Sequence, residues 1–183
     1  GTHTGRTTDA TWTATTTEIT AANLYAGEMH ERVQAQAKAK PAPVEVLPLD
    51  DLATPPQPIG PCVVAETLTV ARRTQPAPGV HVLDFGRNVA GHVALTLDTA
   101  PGQTVRIRHA ERLTPDGTLD TLSTGVRATR VEQRHAFRCA GGPRERLSPR
   151  HTYQGFRYVQ VTADPPLNPA DLDAAAAEVG RAH

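Results

Sequence analysis

The chain has 183 residues, and its 19 Lys and Arg residues balance its 19 Asp and Glu residues, so the formal net charge is zero. A neutral chain has no long-range attraction for nucleic acid or for an anionic membrane, and no apolar run approaches the roughly 20 residues that span a bilayer. We therefore expect neither nucleic acid nor a membrane as a partner. The 16 Pro and 14 Gly favour short strands joined by turns over a helical bundle.

The first 61 residues predict strands followed by an irregular cover. Residues 1–20 are rich in Thr, and β-branched residues favour strands, so we expect residues 1–33 to form N-terminal strands that complete a sandwich. Residues 34–61 are first small and polar and then rich in Pro. That composition predicts a covering segment with little regular structure.

Residues 62–165 are predicted to form the main β-sandwich. Val93, Leu95 and Leu97 alternate as in a half-buried strand, and turn signals such as residues 76–79 and 115–117 separate the apolar segments. Strands spaced by about 8–12 residues are typical of a sandwich or a barrel. In residues 153–158, apolar side chains fall on both faces, which predicts a central core strand. Phe156 and Tyr158 are expected on one face and Val159 and Val161 on the other.

Residues 166–183 admit two interpretations. Asn168 and Pro169 could cap a short helix that runs to Val179, or the segment could be an extended linker. We predict a linker that leads towards a separate domain. The two cysteines, Cys62 and Cys139, stand in no Cys-x-x-Cys pair, and whether they form a disulfide is left open.

The first candidate site is the predicted turn at residues 84–92. Asp84, Asn88 and His92 lie four residues apart, with Gly86 and Gly91 between them. Glycines allow close backbone approach, and carboxylate and amide oxygens suit either Ca²⁺ or sugar hydroxyls. The alternative is that Asp84 and Asn88 only stabilise the turn by accepting hydrogen bonds from backbone amides.

A second candidate site surrounds Gly27. Asn23 and Glu28 offer oxygen ligands for Ca²⁺, and Tyr25 could stack on the apolar face of a sugar. The alternative is a buried Tyr with solvated polar neighbours. Together with Asn88, the residues Asn23 and Glu28 form the predicted metal set.

The sequence carries no motif of a catalytic site. It lacks a Gly-x-Ser-x-Gly elbow, a phosphate-binding loop and a zinc-type cluster of His and Cys. His109 and Glu111 could share one strand face, but no third ligand stands at a recognisable spacing. Glycoside hydrolysis usually needs two facing carboxylates, and no such pair stands out. We therefore predict that this chain is not an enzyme by itself.

Four segments resemble the region upstream of the catalytic domain in bacterial α-L-rhamnosidases. The most specific is Asp-Phe-Gly-x-Asn-x-x-Gly at residues 84–91; the others are residues 23–33, 109–119 and 153–159. The resemblance spans roughly residues 10–180. It implies a concanavalin-like or jelly-roll sandwich that is mostly antiparallel with few or no helices. It also implies that a separate (α/α)-barrel, lying in the same protein, performs hydrolysis.

Some members of that family carry a related sandwich that binds L-rhamnose through Ca²⁺. The resemblance therefore implies a carbohydrate-binding module for L-rhamnose or terminal rhamnosides, with Ca²⁺ as a candidate cofactor. The ligand-binding residues would be Asn23, Tyr25, Glu28, Asp84, Asn88 and His92. The alternative is a structural domain that supports the catalytic barrel, and a hydrolase in its own right is the least favoured hypothesis. No signal peptide precedes Gly1, so we expect a fragment of a longer bacterial protein, either secreted or cytoplasmic.

Overall fold

The computed structural model describes residues 9–33, 41–46, 58, 60, 62–124 and 132–181. Strands dominate these residues, and the only helical turns among them are two short 3-10 helices, Thr121–Thr124 and Pro169–Ala174. No helix in these ranges is long and apolar enough to cross a bilayer. The predicted all-β class is confirmed.

The strands are numbered in chain order. Those of the N-terminal half are β1 Thr13–Thr15, β2 Ile19–Asn23, β3 Gly27–Glu31, β4 Pro41–Pro43, β5 Val63–Thr69 and β6 Arg72–Ala77. Those of the C-terminal half are β7 Val80–Thr99, β8 Thr104–Ala110, β9 Arg134–Arg138, β10 Gly142–Leu147, β11 Gln154–Asp164 and β12 Ala176–Arg181.

Ten of these strands form one curled sheet. Its main order is β2-β3-β9-β8-β11-β7-β12-β5, and β6 and β10 both pair with β7. Neighbouring strands are antiparallel except for β3 and β9, which run parallel. Strands β1 and β4 form a separate two-stranded ladder. The sandwich-like, mostly antiparallel architecture is the one the sequence predicts.

Strand β7 connects the parts of the sheet. Its first half pairs with β6 and β11, and its second half pairs with β12 and β10. Residues 84–92 were predicted to form a turn, and this prediction is corrected because they lie inside this 20-residue strand. A bulge replaces the turn: the register with β11 shifts between Phe156 and Tyr158, and Gly86 adopts a φ of 83°.

The main core fills the inside of the curled sheet. Val93, Leu95 and Leu97 are each fully buried, so the alternating pattern predicted for this part of β7 is confirmed. They pack with buried residues of β8, β9, β10 and β11 in one cluster, whose aromatic members are Phe85, Phe137 and Phe156.

Strand β11 is central, as predicted, because it pairs with β7 on one side and β8 on the other. The predicted assignment of its faces is wrong. Phe156, Val159 and Val161 all belong to the same core cluster, whereas Tyr158 packs in a smaller cluster with Val82. The bulge between Phe156 and Tyr158 shifts the alternation of side chains between the two faces by one residue. Phe156 and Val159, which are three residues apart, therefore face the same core.

The predicted linker at 166–183 is corrected over the residues described, which end at Arg181. After the 3-10 helix, which Asn168 caps by accepting a hydrogen bond from Ala170 N, the chain enters β12. This strand lies between β7 and β5, and Leu172 and Ala177 are fully buried in the core. Buried apolar side chains therefore tie the segment to the sandwich.

The remaining boundaries stay predictions. Of the predicted cover at 34–61, the structure describes residues 41–46, 58 and 60, which include β4, and the rest lies outside the described residues. Both cysteines are free thiols: Cys62 is exposed and Cys139 is buried in the core. Burial raises the pKa of the Cys139 thiol to about 11, so this thiol remains protonated at neutral pH.

Gly91 allows β7 and β12 to approach each other closely. A Cβ atom there would lie 2.1 Å from the carbonyl oxygen of Glu178, which is backbone and cannot rotate away. We expect Gly91→Ala to lower the free energy of unfolding by about 2–4 kcal/mol, measured by urea denaturation. Gly180→Ala on β12 is the matched control, because its Cβ would meet Ala90 O at an ordinary 3.8 Å. Equal stability of the two variants would contradict this packing.

Candidate functional site

Glu28 on β3 is a buried carboxylate that holds the connection between β10 and β11. It is 1% exposed. Its Oε1 accepts hydrogen bonds from His151 N at 2.6 Å and Thr152 Oγ1 at 3.1 Å, and Oε2 accepts from Arg150 N at 3.0 Å. The His30 ring nitrogen Nε2 lies 2.8 Å from Oε2. Four protein groups thus satisfy this carboxylate and fix the path of residues 150–152.

The electrostatics of Glu28 follow from these contacts. Burial by itself raises the pKa of the carboxyl, but the hydrogen bonds from Arg150, His151, His30 and Thr152 outweigh it, so the pKa lies below its ordinary value. Glu28 is therefore an ionised buried acid at neutral pH.

Three buried histidines lie on the strands around Glu28. Glu28 N donates to His135 Nδ1 at 3.0 Å, and the His135 ring meets the His109 ring edge to face at 5.3 Å. His109 also packs on Phe156 at 4.9 Å, and neither of its ring nitrogens has a hydrogen-bond partner among the described residues. Burial lowers the pKa of His109 to about 3 and that of His135 to about 4, so both rings are neutral. Burial also lowers the pKa of His30.

The segment fixed by Glu28 forms one wall of a groove of about 450 Å³. We call it the His92 groove. Tyr153 forms its aromatic edge. Its polar wall consists of Arg150, His92 and Glu178, and its apolar wall consists of Cys62, Val63 and Val64.

The aromatic edge and the polar wall lie on neighbouring strands. Tyr153, directly before β11, is 59% exposed. His92 on β7 is paired with Glu178 on β12, and its Nε2 lies 2.8 Å from Glu178 Oε2. Arg146 donates a hydrogen bond to the other oxygen of Glu178. Burial raises the pKa of Glu178, but the hydrogen bonds from Arg146 and His92 outweigh it, so the pKa is lowered and the groove holds a carboxylate.

A second groove, of about 390 Å³, lies at the other end of the bulge in β7. Asp84 forms a bidentate pair with Arg157, with Nε to Oδ1 at 2.8 Å and Nη2 to Oδ2 at 3.0 Å. Asp84 Oδ1 also accepts from Gly86 N at 2.7 Å. The Arg157 side chain holds the pKa of Asp84 below its usual range. The Asp84 carboxylate therefore stabilises the bulge, and its oxygens are already occupied.

Comparison with known proteins identifies the fold. A sequence model described as the concanavalin-like domain of bacterial α-L-rhamnosidase matches residues 74–178. An α-L-rhamnosidase of Streptomyces avermitilis is 42% identical over 106 residues, which cover 58% of this chain and 10% of the relative. The chain belongs to this family of rhamnosidase domains.

Solved structures of rhamnosidases share the fold along nearly the whole chain. The Streptomyces avermitilis α-L-rhamnosidase complexed with L-rhamnose superimposes with a TM-score of 0.77 at 30% identity, covering 94% of this chain and 17% of that one. The α-L-rhamnosidase of Dictyoglumus thermophilum has a TM-score of 0.76 at 26% identity, covering 96% of this chain and 20% of that one. The chain thus spans about a fifth or less of the length of these relatives.

The rhamnosidase domain does not bring its predicted ligand residues together. Asp84 lines the second groove and His92 lines the His92 groove. Asn88 is exposed on the bulge between them. Tyr25 is 62% exposed on the turn between β2 and β3, and Glu28 is buried beneath residues 150–152. His109 and Glu111 do not form a pair, because His109 is buried and Glu111 is exposed.

The predicted calcium set does not fit this structure. The Asn23 side-chain oxygen accepts hydrogen bonds from Tyr25 N and Ala26 N, both at 2.9 Å, and the Glu28 oxygens accept from three backbone and hydroxyl donors. Each donor places a hydrogen where a cation would have to bind. The described residues also contain no cluster of three or more His, Cys, Asp or Glu residues suited to a metal.

Two groove residues were not selected from the sequence. Tyr153 was assigned to a core strand, although it lies one residue before β11 begins and is exposed. Glu178 fell within the predicted linker. The run of alanines at residues 174–177 carries no alternation of apolar and polar residues, so the sequence gives no clear signal for the strand that positions Glu178.

Proposed function

We propose that this domain is a non-catalytic carbohydrate-binding module that holds a terminal L-rhamnose or rhamnoside in the His92 groove. The observation that carries the proposal is an exposed Tyr153 beside the His92–Glu178 pair, on a segment that the buried Glu28 fixes in place. An exposed aromatic ring next to fixed polar groups can stack on the apolar face of a sugar while the polar groups bind its hydroxyls.

The chemistry of the walls favours a deoxy sugar. Glu178 can accept hydrogen bonds from hydroxyls, and Arg150, whose side chain is half exposed in its ion pair with Glu18, can donate them through its remaining N–H groups. Across the groove, Val63 and Val64 are 39% and 53% exposed, so an apolar surface is available for the methyl group of a 6-deoxy sugar. The relative from Streptomyces avermitilis, solved in complex with L-rhamnose, supports the choice of sugar.

The groove does not resemble a hydrolytic site. Hydrolysis of a glycoside usually uses two carboxyl groups about 5–10 Å apart on either side of the bond. Among the described residues that line the His92 groove, Glu178 is the one acid, and it is already paired with His92 and Arg146. We therefore expect this groove to bind a rhamnoside without hydrolysing it.

Replacing Tyr153 with Ala should weaken L-rhamnose binding roughly tenfold, because loss of one stacking surface removes about 1.4 kcal/mol. Isothermal titration calorimetry measures the affinity. Tyr25→Ala is the matched control, because Tyr25 is equally exposed but lies outside the groove. L-mannose, which carries a hydroxymethyl group where L-rhamnose has its methyl group, should bind more weakly, and a chelator should leave the affinity unchanged.

Three outcomes would contradict the proposal. The absence of heat with L-rhamnose would favour a purely structural domain. Equal losses in the Tyr153 and Tyr25 variants would place the sugar elsewhere. Release of rhamnose from an aryl rhamnoside by this chain alone would show that it is an enzyme.

The structural alternative rests on a separate observation. Strand β5 is at the end of the main sheet order and is exposed along most of its length. An edge strand with exposed apolar side chains is suited to contact another part of the same protein, such as a catalytic barrel.

A further inference from the structure

The outer face of the sheet carries a group of arginines that the His92 groove does not use. In β8, Val105 and Ile107 point into the core, so Arg106 and Arg108 point to the opposite face. Arg134 on β9 lies on the same face. We call these three side chains the arginine face.

Two of these arginines are direct cross-strand neighbours. Arg108 is paired in register with Arg134, and Arg106 lies two pairs along the same ladder, on the same face and opposite Ala136. Like charges directly opposite each other destabilise an antiparallel pair. The pairing of Arg108 with Arg134 therefore destabilises the folded state relative to a pair in which one residue is neutral.

The described residues neutralise only part of this charge. Arg108 Nη2 lies 2.7 Å from Glu132 Oε1, and Arg138, further along β9, pairs with Glu31. Arg106 and Arg134 have no ion pair among the described residues, although both are exposed. Within the described part of the chain, the guanidinium groups of Arg106 and Arg134 can therefore bind an anion from outside.

A groove of about 360 Å³ accompanies the arginines. Its floor includes Gln160 and Thr162 of β11, which are in register with Arg108 and Arg106 respectively. The amide and hydroxyl groups of these two residues can bind sugar hydroxyls, while guanidinium groups bind carboxylates in a planar, bidentate manner.

We propose that the arginine face is a second carbohydrate site, which binds the carboxylate of a uronic acid in an acidic glycan. Polar floor residues beside the arginines suit a ligand that carries both hydroxyls and a carboxylate. The zero net charge of the chain disfavours a general polyanion such as nucleic acid, whose binding depends on many phosphate contacts. The site is independent of the His92 groove, because the two share no lining residue.

The test is a calorimetric titration with trigalacturonate at low ionic strength. We expect binding by the parent domain and at least a tenfold loss in the double variant Arg106→Gln/Arg134→Gln. The double variant Arg87→Gln/Arg112→Gln removes the same charge from exposed arginines outside the groove and should retain the affinity. Neutral maltotriose should not bind. Titration of the same variants with L-rhamnose reports on the His92 groove separately.

A stability measurement tests the cost of the like-charge pair. Arg134→Gln should raise the Tm by about 1–3 °C while weakening trigalacturonate binding, because it relieves repulsion with Arg108. A lower Tm would mean that Arg134 is retained for folding and would overturn the proposal. So would failure of the parent to bind trigalacturonate, equal losses in both double variants, or tighter binding of a single-stranded oligonucleotide at the same arginines.

Discussion

Replacing Glu28 with Ala lowers the free energy of unfolding by about 3–5 kcal/mol. The change leaves the partly buried donors Arg150 N and His151 N and the buried donor Thr152 Oγ1 without their acceptor. Each unsatisfied buried donor costs roughly 1–3 kcal/mol, and loss of an ionised buried partner is at the upper end of single-residue effects. Urea denaturation at pH 7 measures the loss.

Two matched variants show whether the effect depends on the buried contacts. Glu66→Ala removes an acid whose side chain is half exposed in its pair with Arg87, so it should cost less than about 1 kcal/mol. Glu28→Gln keeps the shape and one acceptor, so its cost should lie between those of the two Ala variants. If Glu28→Ala is as stable as Glu66→Ala, the carboxylate does not anchor residues 150–152.

Acidification from pH 7 to pH 5 should destabilise the domain by roughly 2 kcal/mol for each of His109 and His135. Burial holds the pKa of His109 at about 3 and that of His135 at about 4, whereas the unfolded chain takes up these protons near the ordinary 6.5. Between pH 6.5 and pH 4 the unfolded state therefore binds more protons, and stability falls as the pH falls. Denaturation curves at several pH values between 5 and 7 measure the slope.

Removal of one histidine should flatten this dependence. His109→Phe eliminates one of the buried histidines whose pKa is lowered and fits among the aromatic neighbours of His109, so roughly 2 kcal/mol of the loss between pH 7 and pH 5 should disappear. An unchanged slope in His109→Phe would show that this ring is not buried and neutral in the folded domain.

Much of the fold could be predicted because the alternation of apolar and polar residues indicates a strand and its buried face without knowledge of the neighbouring strands. Val93, Leu95 and Leu97 show which face of β7 is buried, and the proline- and glycine-rich turns separate the strands. The bulge at Gly86 could not be predicted in this way. It depends on how β7 pairs with β11, and that register depends on residues far away in the sequence.

The candidate site was predicted only in part for the same reason. His92 was selected from its motif and does line a groove, but its partner Glu178 is 86 residues away. Glu28 was selected as a metal ligand because its carboxylate, next to Gly27, offers oxygen atoms that could bind Ca²⁺. Only the fold shows that backbone donors 122 and 123 residues away occupy its oxygens.

A nitrogen-15 NMR titration with L-rhamnose locates the sugar most directly. We expect concentration-dependent shifts at the amides of Gly91, His92 and Tyr153, with Arg157 and Arg106 unaffected. Such a result would place the sugar between β7, β12 and the segment that Glu28 holds. Shifts confined to another surface, or no shifts with the sugar in large excess, would contradict the assignment of the His92 groove.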